Sequence, residues 1–561
     1  MKWLILLIVF MNKSFAQADR YAVVINEIMA DPSPVIGLPN AEYIELRNCS
    51  SRTIDLNKWK IEKGTNVYTI GSSTILKPDS LIIFCSKTNL PLFSNSIRAI
   101  ALSSFPTLIN EEGIIALKSA ENKTIHAVEY KNSWHENNIK AAGGWSLEMI
   151  DPQKPCASNN WSSSIHRNGG TPGLENSIYK KNQIKDQLEV LQCISINDQT
   201  LQLHLVQGMD SNALSLASNY YINETTIPIL QAKALGPLFD ETALKLASPL
   251  KANTVYSINV KNIFTCKKDA SFETQTQTGL QKEPLANDIL INEILFDPPS
   301  GGKDFIELYN NTSAVIDAKE LYVSSYNQLG GLNTSYQLTE KNYNFFPKDY
   351  LIITEDTSFI KKQWPSSISK KMIPIKTLPS LPDDEGSIVV MNKQGMLLDR
   401  LFYTSKMHHP FIHDPSGVSL ERLQFNLASD EINNWHSAAA SVNYATPTLE
   451  NSQSKKIDSV KRFFSIDSKI ISPNNDGLNE VLQINYQMDK PGYMCTVYLF
   501  GWEGNLISTI VNNKLLGTAG SLLWNGLHQQ ETLPSGPYIL FIEAIHLRAK
   551  TIKEKLAIVI R

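Results

Sequence analysis

Residues 23–31 read VVINEIMAD, and residues 289–297 read ILINEILFD, with Asn26 and Asn292 standing 266 positions apart. The match continues outward from this pair of stretches. EYIELRNCS (42–50) answers DFIELYNNT (304–312), KPDSLIIF (77–84) answers PKDYLIIT (347–354), and INEEGIIAL (109–117) answers PDDEGSIVV (382–390). GWSLEMI (144–150) then answers GVSLERL (417–423), and the two halves close on NNWSSS…TPGLENS (159–177) and NNWHSA…TPTLENS (433–452). A period this long far exceeds the roughly 20–50 residues of a solenoid repeat, so a whole domain has been duplicated. Within each copy short apolar runs such as Leu81-Ile82-Ile83-Phe84 follow Pro/Asp turn chemistry, and Glu42-Tyr43-Ile44-Glu45-Leu46 alternates. Helical periodicity is scarce, so the expected fold class is all-β, built of sandwiches.

Composition bounds the remaining possibilities. The chain has 561 residues, 52 Lys+Arg against 55 Asp+Glu, and 42% hydrophobic residues. That length suggests roughly three to five domains. The apolar fraction excludes wholesale disorder. Near-neutral charge argues against a nucleic-acid partner, which needs a basic face to displace phosphate counterions. Met1-Lys2, the apolar run Trp3–Met11 and the small residues Ser14 and Ala16 have the build of a secretory signal peptide over residues 1–16. The run is shorter than the ~20 apolar residues of a spanning helix. Export is therefore expected, with no transmembrane helix after cleavage.

The repeated motifs, (I/V)-x-I-N-E-(I/V), then E-(Y/F)-I-E-L-x-N, a Pro-Asp-x-L-I-I strand and an E-G strand, resemble the lamin tail domain, an Ig-like β-sandwich. The resemblance covers residues 22–177 and 287–452. It implies an exported, multidomain, surface-associated protein, because bacterial lamin-tail proteins are mostly of that kind. Residues 185–278, with the period-2 runs Leu201–Leu205, Thr242–Leu246 and Tyr256–Val260, resemble bacterial Ig-like domains of the S-layer type. Residues 465–561, with Trp524-Asn525-Gly526 and Gly536-Pro537-Tyr538, resemble the Ig-like fold of flagellar hook-capping proteins and the C-terminal sorting domains of type IX secretion. That last likeness implies export machinery as a partner and the cell surface or outer membrane, or the extracellular space, as the destination, with the periplasm as the fallback.

Six cysteines lack C-x-x-C spacing, which disfavours zinc, and export favours disulfides. Cys193 and Cys266 bracket the Ig-like segment, whose early and late strands can lie side by side, so they are the expected disulfide. Cys85 with Cys156 is a weaker alternative, and Cys49 and Cys495 read as buried thiols.

Three groups of residues invite chemistry. His408, His409, His413 and Asp414 carry metal-ligand side chains at short spacing, but adjacent histidines on a strand point to opposite faces, and a loop without metal is preferred. Asn474, Asp476 and Glu480 in SPNNDGLNE resemble a loop for structural Ca²⁺, although Asn-Asp-Gly is also turn chemistry. Glu27, Glu45, Glu293 and Glu307 are paired carboxylates of the kind used in glycoside hydrolysis, read here as structural. Trp134, Trp145, Trp161 and Trp435 read as core anchors, with sugar stacking as the sharper alternative. No cofactor is expected and no G-x-S-x-G, H-E-x-x-H or phosphate-loop motif occurs. The favoured function is a non-enzymatic exported protein whose modules adhere to a surface glycan or protein ligand, or act as spacers. A secreted phosphoester or glycan hydrolase and an extracellular DNA or polysaccharide binder are the rivals.

Overall fold

The computed structural model describes residues 18–71, 73–93, 97–223, 227–454, 462–474 and 476–561. The leader expected over 1–16 lies outside the described residues, as does most of the segment joining the last two domains. Among the described residues no helix is long and apolar enough to cross a membrane. The chain divides into two units, Met1–Leu250 with Tyr256–Thr278, and Lys251–Val255 with Gly279–Arg561. The fold is mostly β, in multiple small sheets.

The first unit opens with a sandwich. Its larger sheet runs in the order Trp161–Ser163, Leu147–Met149, Val23–Met29, Tyr43–Asn48, Leu81–Ser86, Ala99–Leu102. The smaller sheet runs Thr124–Lys131, Glu112–Lys118, Lys60–Lys63, Asn66–Thr69. Ile25, Ile28, Ile44, Leu46, Leu117, Ile125 and Trp161 are among the side chains that fill the space between them. Glu27 and Met29 point the other way, and Met29 packs with Tyr43, Ile83, Cys85 and Phe93 under the loops that cover the outer face of the larger sheet. This is why Val23–Met29 is buried at every position instead of alternating: a sandwich strand is normally covered on one face only.

The second unit builds the same sandwich again. Trp435–Ser437, Leu420–Arg422, Ile289–Leu295, Phe305–Asn310, Tyr350–Thr354 and Met372–Pro374 take the same order in the larger sheet. Leu397–Thr404, Glu385–Asn392, Leu321–Ser324 and Tyr336–Gln337 form the smaller one. In both copies the sixth strand of the larger sheet pairs parallel to its neighbour. In both, the central strand is bulged at the Asn of Ile-Asn-Glu.

The remaining domains are also two-sheet folds. In the first unit, Val190–Asn197, Thr200–Leu205, Glu241–Leu246 and Ile229–Leu235 face Tyr220–Ile222, Val255–Phe264 and Ser271–Gly279. In the second, Phe464–Ile466, Leu482–Gln487 and Ala519–Trp524 face a five-stranded sheet of Ile470–Ile471, Ile552–Ile560, Gly536–Ile545, Met494–Gly501 and Leu506–Leu515.

The disulfide differs from the expected one. Cys266 bonds to Cys156, with Cα atoms 6.4 Å apart, and not to Cys193. The reason is position along the strands. Cys193 sits in mid-strand and is fully buried inside the Ig-like sandwich, where burial pushes its thiol up to about 12. Cys266 lies in the turn beyond Val255–Phe264, outside that core, where the Lys154–Cys156 loop of the preceding sandwich meets it. Lys154 reinforces the contact, pairing with Asp186 at 2.6 Å and with Asp269. Cys85 is likewise a buried thiol and not a partner of Cys156, and Cys49 and Cys495 are thiols. Non-reducing peptide mapping of the oxidised chain should recover Cys156 linked to Cys266 and alkylatable thiols at the other four positions after unfolding. The bond closes a span of 110 residues. Cys156→Ser should therefore cost about 5 kcal/mol in the chain-entropy model, read as a lower denaturation midpoint of the first unit.

Candidate functional site

The most unusual chemistry lies on the outer face of each larger sheet. In the first copy Glu27 pairs in register with Glu45 on one side and Glu148 on the other. In the second, Glu293 stands between Glu307 and Glu421 in the same way. Each row is three carboxyl groups on three adjacent strands, and all six residues are completely shielded from solvent. Buried carboxyls are tolerated only where hydrogen bonds replace water. Here much of the replacement comes from the chain returning over the sheet, residues 171–178 and 446–453, joined on Glu27 Oε1 by the Tyr43 and Ser146 hydroxyls at 2.7 and 2.6 Å.

The two straps make the same bonds. Thr171 donates its amide to Glu27 Oε1 at 2.8 Å and its hydroxyl to Glu148 Oε1 at 2.9 Å. Thr446 does the same to Glu293 at 2.9 Å and to Glu421 at 2.8 Å. Gly173 N–H reaches Glu45 Oε2 at 2.6 Å, and Thr448 N–H reaches Glu307. Ser177 and Ser452 donate to the outer oxygens of Glu148 and Glu421 at 2.9 and 2.8 Å. Gly173 and Thr448 both hold a positive φ, +78° and +68°. A threonine there is disfavoured; it is tied down by its hydroxyl, which accepts the Ile368 amide at 2.7 Å.

The asparagines of the repeat complete the network. Asn26 Nδ2 donates to Glu45 Oε1 and to Asn176 Oδ1, both at 2.8 Å, and Asn176 Nδ2 donates to the carbonyls of Asn26 and Met149. Asn292 and Asn451 repeat this arrangement with Glu307 and Arg422. Asn48 and Asn310 each donate to two backbone carbonyls and close the turn after the second strand. Burial, followed by the charge of Glu148, raises Glu27 to about 7; burial and Glu421 raise Glu293 to about 8. Glu45 and Glu307 are pushed well above the usual carboxylate range by the same causes. These groups are shielded and bonded by the strap, so in this fold they clamp it; a hydrolytic pair must reach substrate and water. Glu148 and Glu421 escaped the sequence reading, although the Ser-Leu-Glu shared by residues 146–148 and 419–421 carried the signal.

The other sequence candidates are not assembled into a site. His408 Nδ1 contacts Ser437 Oγ at 3.0 Å, as His135 contacts Ser163 at 2.6 Å at the equivalent place in the first copy. His409 lies 5.5 Å from His436, ring centre to ring centre, while His413 and Asp414 are exposed. Burial lowers His408 and His409 to about 4. Among the described residues no group of three or more His, Cys, Asp or Glu side chains could hold a metal ion. Asn474, Asp476 and Glu480 turn their side-chain oxygens to the loop's own amides: Asp476 N–H to Asn474, Leu478 N–H to Asp476, Gly477 N–H to Glu480. Trp161 and Trp435 are buried, whereas Trp134 and Trp145 are half-buried.

With this geometry in place, one comparison is informative. Residues 16–132 match the Lamin Tail Domain family. The first sandwich therefore carries a lamin tail domain, and its strap and Glu148 lie beyond the matched stretch. No curated protein matches the chain. Solved structures similar to it include the N-terminal part of the bacterial S-layer protein SbsC (12% identity, 38% of this chain and 43% of that one, TM-score 0.16) and the longer S-layer protein rSbsC(31-844) (7%, 67% and 54%, 0.16). Another is a tetra-tandem repeat from the extending region of a large adhesion protein (8%, 96% and 98%, 0.13). The chain spans about half the length of the S-layer structures.

The clamp makes two predictions. Glu45→Ala strips acceptors from Asn26 and Gly173; at roughly 1–3 kcal/mol per orphaned buried donor it should cost about 3 kcal/mol and accelerate amide exchange across 171–178. The second is a pH dependence. A carboxyl whose folded pKa is raised stabilises the fold fully below its unfolded value of 4.5 and loses that contribution as pH rises through 7–8. The buried histidines act oppositely, but only between 6.5 and about 4. Between pH 6.5 and 8 the buried carboxyls dominate, since the thiols, with an ordinary value of 9, begin to count only above that, so the unfolding temperature should fall from pH 6.5 to 8. Glu27→Gln with Glu293→Gln should flatten that slope.

Proposed function

We propose that the protein is an exported, non-enzymatic component of the cell surface or extracellular space, in which two lamin-tail sandwiches and two Ig-like domains serve as adhesive and spacer modules. The observation that carries this reading is the repeated clamp: the densest constellation of reactive side chains in each sandwich is sealed inside and spent on holding the strap. The second sandwich is read as a second lamin tail domain, on the strength of its identical strand order, bulge and strap. The disulfide between successive domains is consistent with an oxidising compartment.

The C-terminal domain is read as a sorting module of the type IX kind. The strand Ile552–Ile560 lies inside the five-stranded sheet between Ile470–Ile471 and Gly536–Ile545, so it is built into the fold. Deleting residues 465–561 tests it. The truncated chain should collect in the periplasm with both sandwiches folded; unchanged arrival at the surface would leave the domain a structural bead. For the non-enzymatic reading, purified chain should hydrolyse no nuclease, phosphatase, esterase or glycosidase substrate above buffer, with or without Zn²⁺, Mg²⁺ or Ca²⁺. A metal-dependent activity lost on His408→Ala or His413→Ala would restore the hydrolase reading.

A further inference from the structure

The two sandwiches are near copies, and the place where they differ most in chemistry is one end of the smaller sheet. In the second copy that end is closed. Arg422 is fully buried and donates to Asp399, Ser429 and the carbonyls of Ile291, Gln424 and Leu427. The Trp435 indole N–H is taken by the Ser429 carbonyl at 2.8 Å. In the first copy Met149 stands for Arg422, His126 for Asp399 and Trp134 for Met407. His126 takes the Ile25 amide and meets the Pro155 carbonyl, and beside His126, Trp134 and Trp161 a cavity of about 230 Å³ opens between the sandwich and the Ig-like domain of the same unit.

Two indoles, two acids and two ion-paired or stacked cations line this cavity. Trp134 and Trp161 lie nearly parallel, 20° between planes and 6.1 Å between ring centres. Among the described residues neither indole N–H is bonded to another group. Asp240 comes from the opposite wall, and burial, then the neighbouring Glu241 and Glu129, raises its carboxyl to about 6. Lys131 bridges Glu129 at 2.9 Å, and Arg20 donates to Ser211 and lies 3.5 Å above the centre of the Phe239 ring. The lining sets two cations, Arg20 and Lys131, against two carboxyls, Glu129 and Asp240, so a charged ligand of either sign gains no net attraction and bears its own desolvation. A neutral ring bearing hydroxyls fits all the walls. Its apolar face covers the half-buried Trp134 ring, and its hydroxyls meet Asp240 and the open indole N–H groups. The volume is below the roughly 300–1,000 Å³ of sites for drug-sized ligands, which limits the occupant to one ring. The Cys156–Cys266 bond, with Cys156 in the cavity wall, holds the two domains at the spacing that makes the site.

We propose that this cavity binds a single ring of a neutral saccharide, such as the end residue of a glycan. The inference rests on the adhesive reading above and supplies a ligand class for one module. The full oxidised chain is screened on an array of neutral, acidic and amino glycans. It is then titrated calorimetrically with glucose, galactose, mannose, N-acetylglucosamine and their disaccharides. Retention of neutral glycans is expected, with Trp134→Ala weakening the best binder at least tenfold and Asp240→Asn at least fivefold. Trp134→Phe should stay within threefold of the parent. Trp502→Ala, which removes an indole 72% exposed on the C-terminal domain, should change nothing. No neutral glycan retained, retention of charged glycans only, or binding undiminished in both Trp134→Ala and Asp240→Asn would overturn the proposal. Should Trp134→Ala fail to fold, as judged by its melt, Asp240→Asn decides alone. Adhesion of whole cells measured with the same variants separates the two readings: cells that still adhere while the chain binds no saccharide leave the adhesive role standing and remove this site.

Discussion

Each sandwich depends on a row of three carboxyl groups held away from water by a strap that the chain lays down last. The strap's amides and hydroxyls have no better acceptors within reach, and the carboxyls have no water. Each side therefore supplies what the other lacks. The consequence is topological. The strap joins the end of the sandwich sequence to its first two strands, so Glu27 Oε1 accepts from Thr171, and Glu293 Oε1 from Thr446. A domain closed in this way cannot lose its last ten residues without exposing the glutamates of its first strand. The price is a proton: burial and mutual repulsion lift the pKa values, so the clamp is most stable when the row is not fully ionised.

The bulge at Ile-Asn-Glu is the device that makes the row possible. A bulge leaves one backbone amide out of the ladder, and both copies satisfy it from the facing sheet. Ile25 N–H is accepted by His126 Nδ1 at 3.0 Å, and Ile291 N–H by Asp399 Oδ2 at 2.8 Å. The two solutions carry different obligations. A neutral histidine needs no counter-ion, and burial lowers His126 to about 4, which keeps it neutral. A buried aspartate needs a cation, and Arg422 supplies it at 3.3 Å. His126 with Met149, and Asp399 with Arg422, are thus two self-consistent pairs, and a single exchange between them would leave a buried charge alone.

These details mark how far the sequence could be read. The duplication and the all-β class follow from residues that recur, because recurrence reports backbone and packing demands that both copies share. Asn26, Glu27, Glu45 and Asn48 recur for that reason, and so do Asn176 and Ser177 of the strap. What the strands touch was not legible. Glu148 lies in a three-residue strand, too short for alternation to say which face is covered, and only the strap, which has no periodicity of its own, buries it. His408 reads as a loop histidine with metal as the sharper alternative, because its contact with Ser437, 29 positions away, is invisible in the sequence.

The disulfide shows the same limit from the other side. Cys193 and Cys266 bracket one domain in sequence, and pairing within a domain is the economical reading when only separation is known. The structure assigns the bond by what each sulfur can reach. A cysteine in the middle of a buried strand is committed to its own core, whereas one in a hairpin turn is presented outward and meets whatever packs there. The Lys154 ammonium, drawn to Asp186 and Asp269, brings the Cys156 loop to that turn. Residues that looked like the end of one domain therefore act as the fastening to the next, and the two modules of the first unit are joined by a covalent bond as well as by the chain.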